Sequence, residues 1–307
     1  MSDVSGPAGE AGRAAGRPVG DPGSVTRAPL DDPSRATGAR RILAIRGRAA
    51  EERPDRLAGE EPMAIRVAGP GQPPTDVAVT MRTPGADEAL AAGFLFTEGL
   101  VAPGAIAGFE LGDPARVAHP DDEVVVRLRI PFDASAVVER HFVATASCGI
   151  CGKASLDEVA LRCDAVGPGP VVAASVVLGL PASLRAGQAA FERTGGLHAA
   201  GLFTPDGELV RLAEDVGRHN ALDKLIGESL LAGEIPLVDR AVLVSGRLAF
   251  EIVAKAGAAG VAVLAAIGAP TDLAVDAAER LGMTVVGFLR GDGFNVYTGR
   301  ERIDLGR

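Results

Sequence analysis

Cys148 and Cys151 form a C-x-x-C inside the run Thr145–Lys153, with Gly149 and Gly152 beside them. The chain has three cysteines, so two of the three fall in one four-residue span. Small neighbours leave both sulfurs reachable, and sulfur chemistry needs reachable thiolates. A C-x-x-C at a strand-to-helix junction sets one sulfur near a helix N-terminus. The positive end of the helix dipole lowers a thiol pKa there, and Lys153 adds to the effect. Such a thiolate can take up a sulfane sulfur and pass it on, cycle through a disulfide, or bind a metal.

Zinc needs four ligands in a structural site. A second C-x-x-C is missing, and Cys163, His119, His141, His198 and His219 stand at no recognised spacing. No tightly bound structural metal is therefore expected. The zinc deaminases use H-x-E and then P-C-x-x-C, with the glutamate as proton shuttle. Here Ala199-Ala200 follow His198, Ser147 precedes Cys148, and the cysteines come before the histidine. Deaminase chemistry is not expected.

Three further groups of residues could hold or activate a ligand. Gly195-Gly196 make a tight loop before His198, because glycine tolerates backbone angles closed to other residues. The run Glu214–Lys224 is dense in polar groups at a strand-to-helix turn. Its Arg218 suits an anion in fork geometry, and Glu214 and Asp215 could orient Arg218 or His219. A capped helix with a salt bridge is the structural alternative. Last come the loops Ser245-Gly246-Arg247, Gly268-Ala269-Pro270 and Phe288-Leu289-Arg290-Gly291-Asp292-Gly293. The first combines a hydroxyl, bare backbone and a guanidinium at a helix start, which suits phosphate. The last offers an aromatic face, an arginine, and an aspartate able to accept from a guanine edge. Neither a P-loop nor a complete dinucleotide-binding fingerprint occurs.

The elements that must position these residues follow from periodicity. Residues 1–40 are rich in Gly, Ala, Pro, Ser and Arg without apolar periodicity, and read as a disordered tail. Met63–Ala68, Asp76–Arg82 and Glu123–Ile130 read as strands, Ala86–Leu100 as a helix, and His141–Ala144 as a strand leading through the cysteines into a helix over Lys153–Leu161. Ala199–Thr204 and Leu209–Ala213 read as a hairpin, and Arg218–Leu231 as a helix. Strands at Ala241–Ser245, Val261–Ala266 and Thr284–Leu289 then alternate with helices at Leu248–Ala256 and Thr271–Leu281, before a short strand near Asn295–Tyr297. That series implies a parallel segment with right-handed crossovers and ligand loops at the strand ends. The expected organisation is the tail, a β-rich α+β part over 41–144, and an α/β core over 145–307.

Composition narrows the classes. The chain has 307 residues, 47% of them hydrophobic, and a formal charge of −9. An acidic chain is a poor nonspecific nucleic-acid binder. Val171–Leu184 and Ala256–Ala269 are too short and too interrupted to span a membrane, and the polar N-terminus carries no apolar signal segment. Few, odd-numbered cysteines fit a reducing cytoplasm better than a secreted disulfide scaffold. The oligomeric state is open, a homodimer being a common solution.

These segments together resemble the formate dehydrogenase accessory sulfurtransferase family (FdhD). The resemblance is carried by Thr145–Lys153, Thr194–Ala200 and above all Glu214–Lys224. It is extended by Glu61-Pro62, Gly93–Gly99, Ser245-Gly246-Arg247, Ala269–Thr271 and Val286–Arg290. It implies a cytoplasmic protein with a cytidine-deaminase-like α/β/α core, a mixed sheet and a smaller β-rich N-terminal part. It implies a sulfurtransferase with a cysteine persulfide intermediate, carried on Cys148 with Cys151 assisting. A cysteine desulfurase would be the donor. The molybdenum cofactor in its bis-molybdopterin guanine dinucleotide form would be bound as client for the formate dehydrogenase catalytic subunit. The guanine-dinucleotide contact maps to Phe288–Gly293. Three features depart from the pattern: Ala68-Gly69 replaces Asn-Gly, Gly268 replaces a serine, and the tail is extra. Two rivals stand beside it: a cofactor-binding chaperone without sulfur transfer, and a thiol-disulfide oxidoreductase, for which the early βαβ pattern is missing.

Overall fold

The computed structural model describes residues 35–115, 119–137 and 164–306. The reading of most of the tail lies outside those residues, as do the strand at His141–Ala144, the cysteine loop and the helix after it.

The centre of the molecule is a six-stranded mixed sheet. It is built from β8 (His198–Phe203), β9 (Leu209–Asp215), β10 (Ala241–Val244), β11 (Val263–Ala266), β12 (Thr284–Arg290) and β13 (Gly293–Thr298), in the order β13-β12-β11-β10-β8-β9. β10, β11 and β12 are parallel, and the others run antiparallel to their neighbours. Strands buried on both faces read as unbroken apolar runs, and β10 and β11 do. Val242, Val244, Leu264 and Ala266 face one core, and Ala241, Leu243, Val263 and Ala265 face the other. The first core is closed by the helices at Arg218–Leu231, Phe250–Ala258 and Asp272–Leu281, and the second by one at Ala174–Gly187. In chain order the α-helices within the described residues are α1 (Asp87–Thr97), α2 (Ala174–Gly187), α3 (Ala189–Thr194), α4 (Arg218–Leu231), α5 (Phe250–Ala258) and α6 (Asp272–Leu281). A mixed α/β core with helices on both faces is what the alternation predicts.

A second, four-stranded sheet holds β3 (Glu61–Ala68), β4 (Thr75–Arg82), β5 (Ile106–Leu111) and β6 (Glu123–Leu128) in the order β4-β3-β6-β5. Its Met63, Ile65, Val67, Val124 and Val126 pack with Leu90 and Leu95 of α1. Helix α1 then lies against α4 with almost no gap. A Cβ on Gly93 would stand 1.9 Å from Asp223 O, and one on Gly227 1.8 Å from Ala89 O. Only glycine permits that approach. Beside the crossing, Lys255 Nζ donates to Asp223 Oδ1 (3.0 Å), Asp223 Oδ2 (2.9 Å) and Glu98 Oε1 (3.1 Å). Burial works against the ammonium, but Asp223 and Glu98 more than offset it and hold Lys255 above its ordinary value.

Order begins earlier than the composition predicts. β1 (Thr37–Arg46) and β2 (Ala49–Ala58) form a ten-residue antiparallel hairpin that joins neither larger sheet. Beyond its root, only one face of the hairpin is even half-buried, at Ile42, Ala44, Arg53 and Asp55, and arginines stand on both faces, so the composition masks the strands. Helix α2 covers most of the apolar stretch Val171–Leu184, and α3 falls in a segment to which the sequence assigns no element. The short strands β7 (Val172–Ala173) and β14 (Ile303–Asp304) pair in parallel and tie the end of the chain to the start of α2. Among the described residues no helix is long and apolar enough to cross a membrane.

Candidate functional site

Residues from five strands meet at one end of the six-stranded sheet. The parallel strands β10, β11 and β12 all finish there, and β8 starts there. The register sets His198, the first residue of β8, against Asp215, the last of β9. Glycine makes the entry: Gly195, at φ +66°, ends α3 by donating its N–H to Phe191 O at 2.7 Å.

Ser245 follows β10. Its Oγ accepts the Ala199 N–H at 2.9 Å and lies 3.4 Å from His198 Nδ1. With its lone pair so engaged, the hydroxyl proton can point at Nδ1, and that tautomer keeps the ring proton on Nε2. His198 is held below the ordinary imidazole range, first by burial and then by the positive charge of Arg218, with Asp215 opposing. At neutral pH it is an uncharged imidazole.

Gly246 brings the next residues close. A Cβ there would stand 3.5 Å from both His198 Nδ1 and Arg218 Cδ, so the two side chains flank one bare backbone position. Arg218 opens α4 after Gly217, and this helix start has no side-chain cap. Its Nε is buried and has no hydrogen-bond partner among the described residues. His219 Nε2 approaches Glu251 Oε2 at 3.0 Å, within hydrogen-bonding distance but off the ideal alignment. That contact, against an opposing effect of burial, holds the Glu251 carboxyl below its ordinary value. An uncapped helix N-terminus, a guanidinium with a spare donor and a glycine loop form an anion-receptive surface.

The strand-end loops are laced together. Gly268 N donates to Gly246 O at 3.1 Å, and Phe288 N donates to Gly268 O at 2.9 Å. A Cβ at position 268 would lie 2.7 Å from Gly246 O. Replacement of the expected serine by Gly268 therefore goes with a closer backbone approach, not only with a lost hydroxyl. Phe288 sits at φ +53°, one of two non-glycine residues in the left-handed region among those described. Such a conformation costs about 1–3 kcal/mol and gathers at ligand sites. A register shift between Gly287 and Arg290 accompanies it. The result is a ring 36% exposed, with Arg290 Cζ 5.4 Å from its centroid. Gly291 and Asp292 form the exposed turn between β12 and β13, since Arg290 pairs with Gly293. Leu289 turns inward as a core residue, so only its backbone faces the loop.

His198, Arg218, Ser245 and Gly246 are thus gathered at one point, and His219 and Phe288 stand on the same sheet end. Arg247 is exposed beside Gly246. Cys148 and Cys151 lie outside the described residues. The acidic residues of the polar run do something else than orient Arg218. Glu214 accepts the Ala190 N–H (3.0 Å) and the Phe191 N–H (2.7 Å) and so caps α3. Asp215, fully buried, meets Lys224 Nζ at 2.7 Å and accepts from Thr83 N, Gly217 N and Asn220 Nδ2. Of the structural alternative the salt bridge is present, between Asp215 and Lys224, while the cap falls on α3 and the start of α4 has none. Glu251 and Thr83 escaped the sequence reading. Glu251 stands in a plain apolar helix, and only Glu at its first turn hinted at a partner. No group of three or more His, Cys, Asp or Glu able to hold a metal occurs among the described residues.

Comparison with known proteins agrees in extent. The model of the FdhD/NarQ family matches residues 58–304. The chain is 47% identical over 281 residues to the sulfur carrier protein FdhD of Streptomyces coelicolor, covering 88% of this chain and 97% of that one. It is 45% identical over 278 residues to the protein of that name from Mycobacterium tuberculosis, covering 87% and 99%. A crystal structure from Desulfotalea psychrophila, described as a formate dehydrogenase accessory protein, superposes with a TM-score of 0.65 at 23% identity, over 88% of this chain and 100% of that one. That last likeness bears on the fold alone. With a family match from the second sheet to β14 and close relatives along nearly their whole length, the chain belongs to the FdhD/NarQ family.

Proposed function

We propose that this chain is a sulfur carrier that receives a sulfane sulfur on Cys148 and hands it to a molybdenum cofactor bearing guanine nucleotides. The observation that carries the reading is the anion-receptive cluster of His198, Ser245, Gly246 and Arg218 at the sheet end, in a chain whose relatives are named sulfur carriers. A carrier for an anionic, phosphate-bearing client needs such a surface near its thiolate.

The chemistry balances without an external oxidant. The Cys148 thiolate attacks the outer sulfur of a donor persulfide, as a cysteine desulfurase would present it. The donor S–S bond breaks, a new one forms on Cys148, and the donor leaves as thiolate. For delivery, the Cys151 thiolate attacks Cys148 Sγ and releases the outer sulfur as hydrosulfide, leaving a Cys148–Cys151 disulfide that a cellular thiol reduces. The cofactor is substrate here. Arg218, Arg247 and the α4 N-terminus would hold its phosphates, and Phe288, Arg290 and Asp292 would meet a guanine. Neutral His198, with its proton on Nε2, would donate to an anionic oxygen or sulfur without adding charge. Formate dehydrogenase would be the recipient of the finished cofactor.

Intact mass after incubation with a cysteine desulfurase and cysteine tests this. Wild type should gain a reductant-labile ~32 Da, and Cys148→Ala should not. Gain in Cys148→Ala with loss in Cys151→Ala would exchange the two roles. No gain in any form, with a competent donor present, would favour a cofactor-binding chaperone.

A further inference from the structure

Strands β12 and β13 pair with two irregularities, and each falls at an aromatic residue. Val285 pairs with Thr298 but Val286 with Val296, so Tyr297 is an extra residue on β13. Gly287 pairs with Asn295 and Arg290 with Gly293, so β12 has one extra residue in the stretch where Phe288 stands at φ +53°. Bulges blunt a sheet edge, and β13 is an edge strand. Here the second bulge undoes the register shift of the first, so the lasting effect is on the two rings. A bulge re-aims the side chain it carries and is common next to ligand sites. The tip of the Tyr297 ring lies at the sheet end. A Cβ on Gly287 would stand 3.0 Å from Tyr297 Cε2, 2.7 Å from Pro270 Cδ and 3.4 Å from Gly268 O. Gly268 is the residue bonded to Gly246 on one side and to Phe288 on the other. Tyr297 therefore borders the loops that carry Phe288 and the anion-receptive cluster, and its exposure of 37% matches that of Phe288.

We infer that Tyr297 is a further binding residue of this site, an aromatic surface for the base of the guanine nucleotide. The inference rests on the proposed guanine-bearing client, and it names a residue outside the Phe288–Gly293 loop. Phe288 offers one ring, and Arg290 Cζ lies 5.4 Å from its centroid, so the chain's own guanidinium already engages it. Tyr297 adds a second ring, with a hydroxyl at its tip able to donate or accept. Stacking on an aromatic side chain acts on the base, whereas Arg218 and the start of α4 act on the phosphates. A change at Tyr297 is therefore felt by a nucleotide and not by a phosphate compound without a base. Packing against Gly287 alone would act through the loops, and so on both compounds alike.

Calorimetric binding of guanosine diphosphate and of inorganic pyrophosphate to the full chain tests the inference, with Tyr297→Leu and Tyr297→Phe beside wild type. The chain has one tyrosine and no tryptophan, so tyrosine emission reads Tyr297 alone. Guanosine diphosphate should quench that emission saturably, beyond its plain light absorption as measured on free tyrosine amide, and pyrophosphate should not. Tyr297→Leu should weaken guanosine diphosphate by roughly 5-fold or more, the lower end for loss of one base–aromatic stack, and leave pyrophosphate affinity unchanged. Tyr297→Phe keeps the ring and should bind guanosine diphosphate more tightly than Tyr297→Leu. A Tyr297→Leu that binds guanosine diphosphate as wild type does overturns the inference. So does one that loses both ligands alike, or a bound nucleotide that leaves the emission of Tyr297 unchanged. Wild type that binds neither ligand overturns the guanine-bearing client and this inference with it. Persulfide gain on Cys148 can be read in the same samples, so failure at Tyr297 and failure of the sulfur-carrier reading are told apart.

Discussion

Replacing Lys224 by methionine should unfold this protein readily without touching a reacting atom. Lys224 Nζ lies 2.7 Å from Asp215 Oδ2 and donates to Thr83 O at 2.8 Å, and both charged side chains are essentially sealed from solvent. Methionine keeps most of the volume but removes the charge. Asp215 keeps its donors from Thr83, Gly217 and Asn220, yet remains a buried carboxylate without its cation. Breaking a buried pair from one side costs about 3–5 kcal/mol, a large share of the ~5–15 kcal/mol that holds a domain together. For a chain of this size the melting temperature should fall by roughly 10 °C. The informative partner is Asp215→Asn/Lys224→Met, which removes both charges. It should recover at least ~1 kcal/mol relative to the sum of the two single changes. Urea unfolding followed by far-UV circular dichroism measures all four proteins. Below its melting point Lys224→Met should still accept a persulfide at the wild-type rate. Loss below ~1 kcal/mol with defective sulfur loading would refute the reasoning and make Lys224 a ligand-binding residue.

Two titrations read the electrostatics. His198 is held below the ordinary ~6.5 of a free histidine, so its contribution to stability is fully present above that value and is lost as pH falls through its folded pKa. His198→Gln should flatten the loss of stability as pH falls below about 6.5, and the His198 titration followed by NMR should move toward higher pH when inorganic phosphate binds. Glu228 is the opposite case: burial, with Arg211 and Lys224 opposing, pushes its carboxyl up to about 7. Its stabilising effect is present below the ordinary carboxyl range and lost as pH rises through 7, so Glu228→Gln should melt higher than wild type at pH 8 and by a much smaller margin at pH 5.

Periodicity recovers the sheet that carries the site because its central strands are apolar on both faces and α5 and α6 are amphipathic. The helix at Arg218–Leu231 agrees at both ends, and strands β10 to β12 agree within two residues. Helix α5 starts two residues late, since Leu248 is held in a bridge to Pro270 and spends its backbone on the neighbouring loop. What periodicity does not reach is any contact set by another segment. Gly93 and Gly227 look like ordinary small residues, and only the crossing of α1 and α4 makes a side chain impossible there. Phe288 reads as strand, and its positive φ emerges from the lacing of β12 to Gly268. Glu251 becomes a site residue through His219, 32 positions away.

The densest polar run of the sequence, Glu214–Lys224, divides between two tasks that composition alone cannot separate. A polar side chain in this run either faces inward, where it must be fully partnered because an unmet buried group is costly, or faces the sheet end, where a spare donor is of use. Glu214, Asp215, Asn220 and Lys224 are of the first kind, each bonded to a neighbouring segment. Asn220 reaches Met81 O of β4 and Lys224 reaches Thr83 O, so these bonds join the two sheets. Arg218 is of the second kind, with a buried Nε that no described residue satisfies. The fixed spacing of the run follows from this division. Asp215 must end β9 opposite His198, and Lys224 must return to it from the second turn of α4. Arg218 is then left at the helix start, beside Gly246. The struts that fasten the two sheets therefore also fix where the guanidinium stands.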